Sequence, residues 1–142
     1  MRQHVLVVDD EELMRSLLSM GLNGAGFLVT TANDGAEALS LLVDGVAAPA
    51  PVDLLLTDFN MPHLTGLDLV DALKRAGVDL PWFLMSGDMN EALAAEALSR
   101  GCAGCIGKPV RLPVLAEHIR QALEVSPRGQ KQEHKTLAAQ GH

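Results

Sequence analysis

A chain of 142 residues that is 48% hydrophobic has room for one domain with a packed core, and that composition excludes disorder throughout. A net charge of −7 argues against a nucleic-acid surface, because phosphate backbones demand Lys and Arg, and favours basic partners or metal cations. No apolar run approaches the roughly 18 residues of a membrane span, and Met1-Arg2-Gln3-His4 leads into a short apolar run without a cleavage-like segment, so the expected location is the cytoplasm.

Val5 to Val8 is a β-branched run ending on Asp9-Asp10 and reads as a buried strand. Glu11 and Glu12 open a first helix, where acids suit the positive end of the helix dipole. Leu13/Leu17 and Met14/Leu18/Leu22 recur at spacing four and predict its apolar face. Asn23-Gly24-Ala25-Gly26 stops it. Phe27 to Thr31 reads as a second strand, Asp34-Gly35 as a turn, and Ala38, Leu39, Leu42 and Val43 mark a second helix. A Gly/Ala/Pro-rich loop, 45–51, precedes a third strand that ends on Asp58.

The third helix carries Leu67, Val70 and Leu73 inward and stops near Gly77. Pro81 to Met85 is a fourth strand, ending on Ser86-Gly87. Residues 90–100 form an alanine-rich fourth helix with few large anchors, expected to be the least firmly docked, and Gly101 is its C-terminal stop. Cys102 to Gly107 is a fifth strand ending on Lys108-Pro109. The fifth helix starts near Arg111, where Pro113 is tolerated in the first turn, and its inner stripe is Leu115, Ile119 and Leu123. Residues 126–142 are polar and aperiodic. The expected organisation is a domain over 1–125 with a flexible tail over 126–142.

Strands alternating with helices imply an α/β fold with a parallel sheet, and continuous apolar strands imply helices on both faces. The right-handed crossover rule leaves few topologies. The expected one is flavodoxin-like, a three-layer sandwich with strand order 2-1-3-4-5.

The strand C-termini then carry Asp9 and Asp10, Asp58, Ser86 and Lys108. Ligands of open α/β sheets bind outside those ends, at the switch point between strands 1 and 3. Neighbouring carboxylates repel one another, and a divalent cation relieves this. All-oxygen ligation suits Mg²⁺, with Mn²⁺ as the alternative ion. A lysine and a hydroxyl suit a phosphoryl group, whose transfer depends on positioning and charge neutralisation. Attack by an Asp58 oxygen on phosphorus would give an acyl phosphate. Singly, each residue has a plainer reading: Asp10 as a helix N-cap, Asp58 as a turn residue, Ser86-Gly87 as a turn, Lys108-Pro109 as a loop. Their coincidence at four strand ends makes the joint reading specific.

On these motifs (Val-Val-Asp9-Asp10-Glu11, Leu-Leu-Leu-Thr-Asp58-Phe-Asn-Met-Pro62, Met-Ser86-Gly87, Gly-Lys108-Pro109) the sequence resembles the receiver domain of two-component response regulators over about residues 4–124. It is similar to the stand-alone, chemotaxis-response-regulator-like members, since the domain fills the chain. The resemblance implies that Asp58 accepts phosphoryl from a sensor histidine kinase or a phosphotransfer protein. It implies Mg²⁺ on Asp10, Asp58 and the Asn60 backbone carbonyl, with Asp9 acting through water. Ser86 and Lys108 would contact the phosphoryl group, Asn60 and Asp88 would tune its lifetime, and the Lys108-Pro109 bond would be cis, as in many relatives. A protein target would read the state at the face formed by the fourth helix, fifth strand and fifth helix. No direct nucleic-acid contact is expected. The only chemistry expected is self-phosphorylation and self-dephosphorylation, not enzymatic turnover.

One position departs from the family. The aromatic residue common three positions before the lysine is Cys105 here, and the chain has no tyrosine. Readout there would rest on Ser86, Cys105 and the fourth helix. Cys102-Ala-Gly-Cys105 has redox-motif spacing, but redox pairs are normally placed at a helix N-terminus. The plainer reading is a pair of small buried hydrophobes. Of the histidines, His63 follows Asp58 in a loop and His118 lies on the fifth helix; both read as ordinary surface residues. Two alternatives carry different outcomes. A Mg²⁺-dependent phosphohydrolase would need a general acid where Asn60 stands and a cap that the chain lacks. A receiver-like scaffold that is never phosphorylated would not need the acid set.

Overall fold

The computed structural model describes residues 2–44 and 51–125. Five parallel strands form one sheet in the order β2-β1-β3-β4-β5. They are β1 (His4–Val8), β2 (Leu28–Ala32), β3 (Leu54–Asp58), β4 (Trp82–Ser86) and β5 (Gly104–Gly107). The helices are α1 (Glu12–Gly24), α2 (Gly35–Leu39), α3 (Gly66–Arg75), α4 (Glu91–Ser99) and α5 (Leu112–Val125), and α2 continues as a π-helical turn, Ser40–Asp44. This is the flavodoxin-like topology expected from the strand and helix alternation. The expected loop at 45–51, apart from Pro51, and the expected tail lie outside the described residues. Among the described residues no helix is long and apolar enough to cross a membrane.

The sheet has a core on each face because side chains alternate along a strand. Val5, Val7, Leu54, Leu56, Phe83 and Met85 pack against Leu18 and Leu22 of α1 and Leu115 and Ile119 of α5. Leu6, Val8, Leu55, Trp82 and Leu84 pack against α3, Ala38 and Ala97. The inner stripes expected for α3 and α5 are the ones buried. In α4 only Ala97 is fully buried, and Leu98 is 64% exposed.

Three expectations change. The α1 face is narrower than its pattern suggests: Leu18 and Leu22 are buried, whereas Leu13 is 71% and Leu17 47% exposed. Two adjacent rows of leucines cannot both face a sheet that one stripe of the helix already covers. Asp34-Gly35 is not a free turn but the start of α2, where Asp34 accepts a bond from the Glu37 N–H at 2.9 Å. The fifth strand begins at Gly104, because the Cys102 N–H is drawn back to the Ala97 carbonyl at 3.1 Å and closes α4 instead.

The turn from β3 into α3 sets the position of Asp58. Phe59 N–H donates to Met85 O at 2.8 Å and Gly66 N–H donates to Phe59 O at 3.0 Å. Thr65 caps α3 in a reciprocal box with Asp68, each bond 3.1 Å. A Cβ on Gly66 would lie 2.5 Å from the Asp58 carbonyl oxygen and 2.9 Å from Leu84 Cδ1. We expect Gly66→Ala to destabilise the fold by about 1–3 kcal/mol, the usual range for an overpacked site. Denaturant unfolding checks this, and an unchanged midpoint would show that the turn yields freely.

Candidate functional site

β1, β3, β4 and β5 bring their C-terminal tips to one edge of the sheet, and the polar residues expected there are assembled on it. Asp9, directly after β1, is fully buried, Asp58 is 5% exposed, and Asp10 lies in solvent. One carboxylate oxygen from each of the three falls within 4.8 Å of the others. Lys108, just after β5, places its Nζ 3.1 Å from Asp9 Oδ2 and 3.2 Å from Asp58 Oδ1. A single ammonium therefore serves two buried acids.

Each group is held from behind. Asp9 Oδ1 accepts from the Glu11 N–H at 2.9 Å, and Arg15 donates to the Asp9 carbonyl at 2.7 Å. The N-cap position of α1 belongs to Glu11, whose side chain makes no capping bond, so the plainer reading of Asp10 as the cap is not realised. Thr57 Oγ1 donates to the Asp58 carbonyl at 3.0 Å. The Lys108 N–H donates to Ser86 O at 2.9 Å, tying the tips of β4 and β5 together. The Lys108-Pro109 bond is cis. Ser86 is fully buried, and its Oγ accepts from the Asp88 N–H at 3.0 Å, which leaves its own hydrogen to donate elsewhere.

The electrostatics follow from this crowding. Burial first, then the charge of Asp9 and more weakly that of Asp10, push the Asp58 carboxyl up to about 6 against the opposing pull of Lys108. Burial alone would lower Lys108. Its hydrogen bond to Asp9 and the charges of Asp58 and Asp9 outweigh that and hold it above the usual lysine range. The pocket is therefore short of positive charge. Three carboxylates, all-oxygen and open on the Asp10 side, fit a hard divalent cation such as Mg²⁺ better than a soft metal.

The remaining expected residues are more scattered. Asn60 is exposed in the loop after β3, and Asp88 is exposed after β4. His63, in the same loop as Asn60, is exposed and has a positive φ of 70°. Cys105 is half-buried in β5, paired with Leu84, and it faces Cys102 rather than the acids. Two supports were not anticipated from sequence. Arg15 reads as one more helix-face cation until the chain folds it back on Asp9. Thr57 reads only as a strand residue.

The family model described as the response regulator receiver domain matches residues 5–120. The sensor histidine kinase RcsC of Salmonella typhimurium strain LT2 is 37% identical over 118 residues, which is 81% of this chain and 12% of that protein. The regulator of RpoS of Escherichia coli K12 is 35% identical over 109 residues, 77% of this chain and 31% of that protein. The chain thus spans well under two thirds of these relatives. Among solved structures, FixJ-N is 29% identical with a TM-score of 0.76, covering 87% of this chain and 95% of that one. The Vibrio cholerae chemotaxis protein CheY4 is 29% identical with a TM-score of 0.76, covering 87% and 100%.

The raised Asp58 has a consequence for stability. A carboxyl whose pKa is higher in the folded chain stabilises the fold while protonated, and that contribution is lost as pH rises from the unfolded value through about 6. In metal-free buffer Asp58→Asn should therefore raise stability by about 1–3 kcal/mol near pH 8, with the gain shrinking below about pH 6. Thermal melts in chelator across that range check it. A parent chain that is the more stable at every pH would contradict the charge crowding.

Proposed function

This chain belongs to the response regulator receiver domain family of two-component systems, and on that premise we propose that Asp58 accepts a phosphoryl group from a sensor histidine kinase or a phosphotransfer protein. Phosphorylation on aspartate and Mg²⁺ binding are general to the family. The observation that carries the reading is the Lys108 ammonium 3.2 Å from Asp58 Oδ1, beside the buried Ser86 hydroxyl on the next strand tip.

An Asp58 carboxylate oxygen attacks phosphorus of a phosphohistidine. The P–O bond forms as the P–N bond breaks, and the electron pair stays on the departing imidazole. Asp58 must be ionised to attack, and above about pH 6 it is. Lys108 needs only a short movement to leave the Asp58 oxygen for one of the incoming phosphoryl oxygens, and Asp9 keeps it anchored meanwhile. Ser86 donates its free hydrogen to a second phosphoryl oxygen. Asp10, Asp58 and the Asn60 backbone carbonyl would hold Mg²⁺, with Asp9 behind through water. The ion would supply neutralisation of the charge that develops on the transferring group. Asn60 and Asp88, exposed in the loops after β3 and β4, would govern how readily water reaches the acyl phosphate.

The domain we assign spans 1–125. It acts by protein–protein contact in the cytoplasm, with no turnover beyond its own phosphorylation and dephosphorylation. The target reads the α4–β5–α5 face. With Cys105 where relatives often carry an aromatic ring, the change at Ser86 passes to the loop after β4 and to the lightly anchored α4.

Incubation with Mg²⁺ and acetyl phosphate tests this by intact mass. One acid-stable, base-labile phosphoryl adduct is expected, absent from Asp58→Asn and reduced at least about tenfold in rate in Lys108→Ala. Rapid multiple-turnover phosphate release without an adduct would replace this reading with a phosphohydrolase. No adduct with any donor would leave a scaffold.

A further inference from the structure

The segment from Cys102 to Cys105 joins α4 to β5, away from the acids. Gly101, with a positive φ of 87°, turns the chain out of α4, and the Cys102 N–H donates to Ala97 O at 3.1 Å. The Ala103 N–H donates to Trp82 O at 2.7 Å, and Cys105 pairs with Leu84 in the sheet. One cysteine is thus fixed to the helix end and the other to the strand. The chain between them bends so that both side chains enter the same space. The sulfurs lie 3.7 Å apart, both thiols are free, and both are half-buried against the core that holds Ala97, Trp82 and Leu84. Both pack against that core as the sequence reading of small hydrophobes expects, but each is only half-buried, and the two thiols are neighbours.

We propose that Cys102 and Cys105 form a reversible dithiol–disulfide site, closed by exchange with a low-molecular-weight disulfide. A disulfide bond is about 2.05 Å long, so closure needs the sulfurs to approach by a little under 2 Å. Rotation of two side chains in a short connecting segment can supply that.

Burial, the charge of Cys105 and the hydrogen bond between the thiols push Cys102 up to about 12, and either sulfur can be the donor in that bond. One of the two, as its thiolate, attacks one sulfur of the small disulfide. The S–S bond breaks, and the expelled thiolate takes the proton that the attacking cysteine lost. The attacking cysteine is then a neutral mixed disulfide, which removes the negative charge that opposed ionisation of its neighbour. The second cysteine ionises, attacks the protein sulfur of the mixed disulfide and expels the second small thiol, which leaves with the second proton. Two protein thiols are oxidised to one disulfide while the reagent disulfide is reduced to two thiols. The closed bond would staple the end of α4 to β5, on the face assigned above to readout. The oxidation itself does not depend on that assignment.

The test uses the full chain, glutathione disulfide, alkylation of remaining thiols and intact mass. The parent should lose two hydrogens, take up no alkylating agent, stay monomeric and regain both thiols with dithiothreitol. Cys102→Ser should stop at a single glutathione adduct on Cys105, and Cys105→Ser at a single adduct on Cys102. Two alkylatable thiols, a stable singly glutathionylated parent, or disulfide-linked dimers would overturn the proposal. The parent alone decides it, so the result holds even if a variant fails to fold.

Discussion

The interaction on which the site depends is one ammonium shared by two buried carboxylates. Lys108 reaches across from β5 to Asp9 and Asp58, 3.1 and 3.2 Å away, on β1 and β3. Without it, two negative charges would sit in a space from which water is almost excluded, at a cost of several kcal/mol. With it, three carboxylates still face a single ammonium, because Asp10 is also present, so two acids are left without compensating charge. Burial first, and then that imbalance, push Asp58 up to about 6. A site left with excess negative charge favours a cation, and the proposed phosphoryl transfer would draw on the lysine held between two acids.

The strand order creates the imbalance. In the order 2-1-3-4-5, β1 and β3 are neighbours whose following helices pack on opposite faces of the sheet, so a crevice opens between their tips. The polar cluster sits at that crevice while both faces of the strands stay apolar. Asp9, Thr57, Asp58 and Ser86 are fully or almost fully buried at the strand ends, each with a hydrogen bond or ion pair. Gly66 belongs to the same arrangement, since α3 starts so close to the Asp58 carbonyl that a side chain has no room.

Much of this was legible in the sequence. Apolar runs that end abruptly on an acid, a hydroxyl or a lysine are strands with chemistry at their tips. Four such runs, alternating with helical patterns, put Asp9, Asp10, Asp58, Ser86 and Lys108 at the strand tips. The parts that were not legible depend on tertiary contact. Periodicity assigned Leu13 and Leu17 to the α1 core because it cannot say which of two adjacent stripes meets the sheet. Cys102 looked like a strand residue until its N–H paired with Ala97 O. His4 begins β1 as a buried residue, with Thr30 Oγ1 2.7 Å from its ring, a partner 26 residues away that no local pattern announces. The closeness of the two sulfurs belongs to the same class, since the spacing allowed it but only the α4–β5 turn produced it.

Cation binding at the acid cluster tests the central claim most directly, because the shortage of positive charge is what the geometry asserts. Calorimetric titration of the full chain with Mg²⁺ should show one site whose affinity falls as pH drops below about 6, where protons compete for Asp58. Asp10→Asn should weaken that site at least about tenfold. Absence of Mg²⁺ binding near neutral pH, or binding indifferent to both pH and Asp10→Asn, would contradict it.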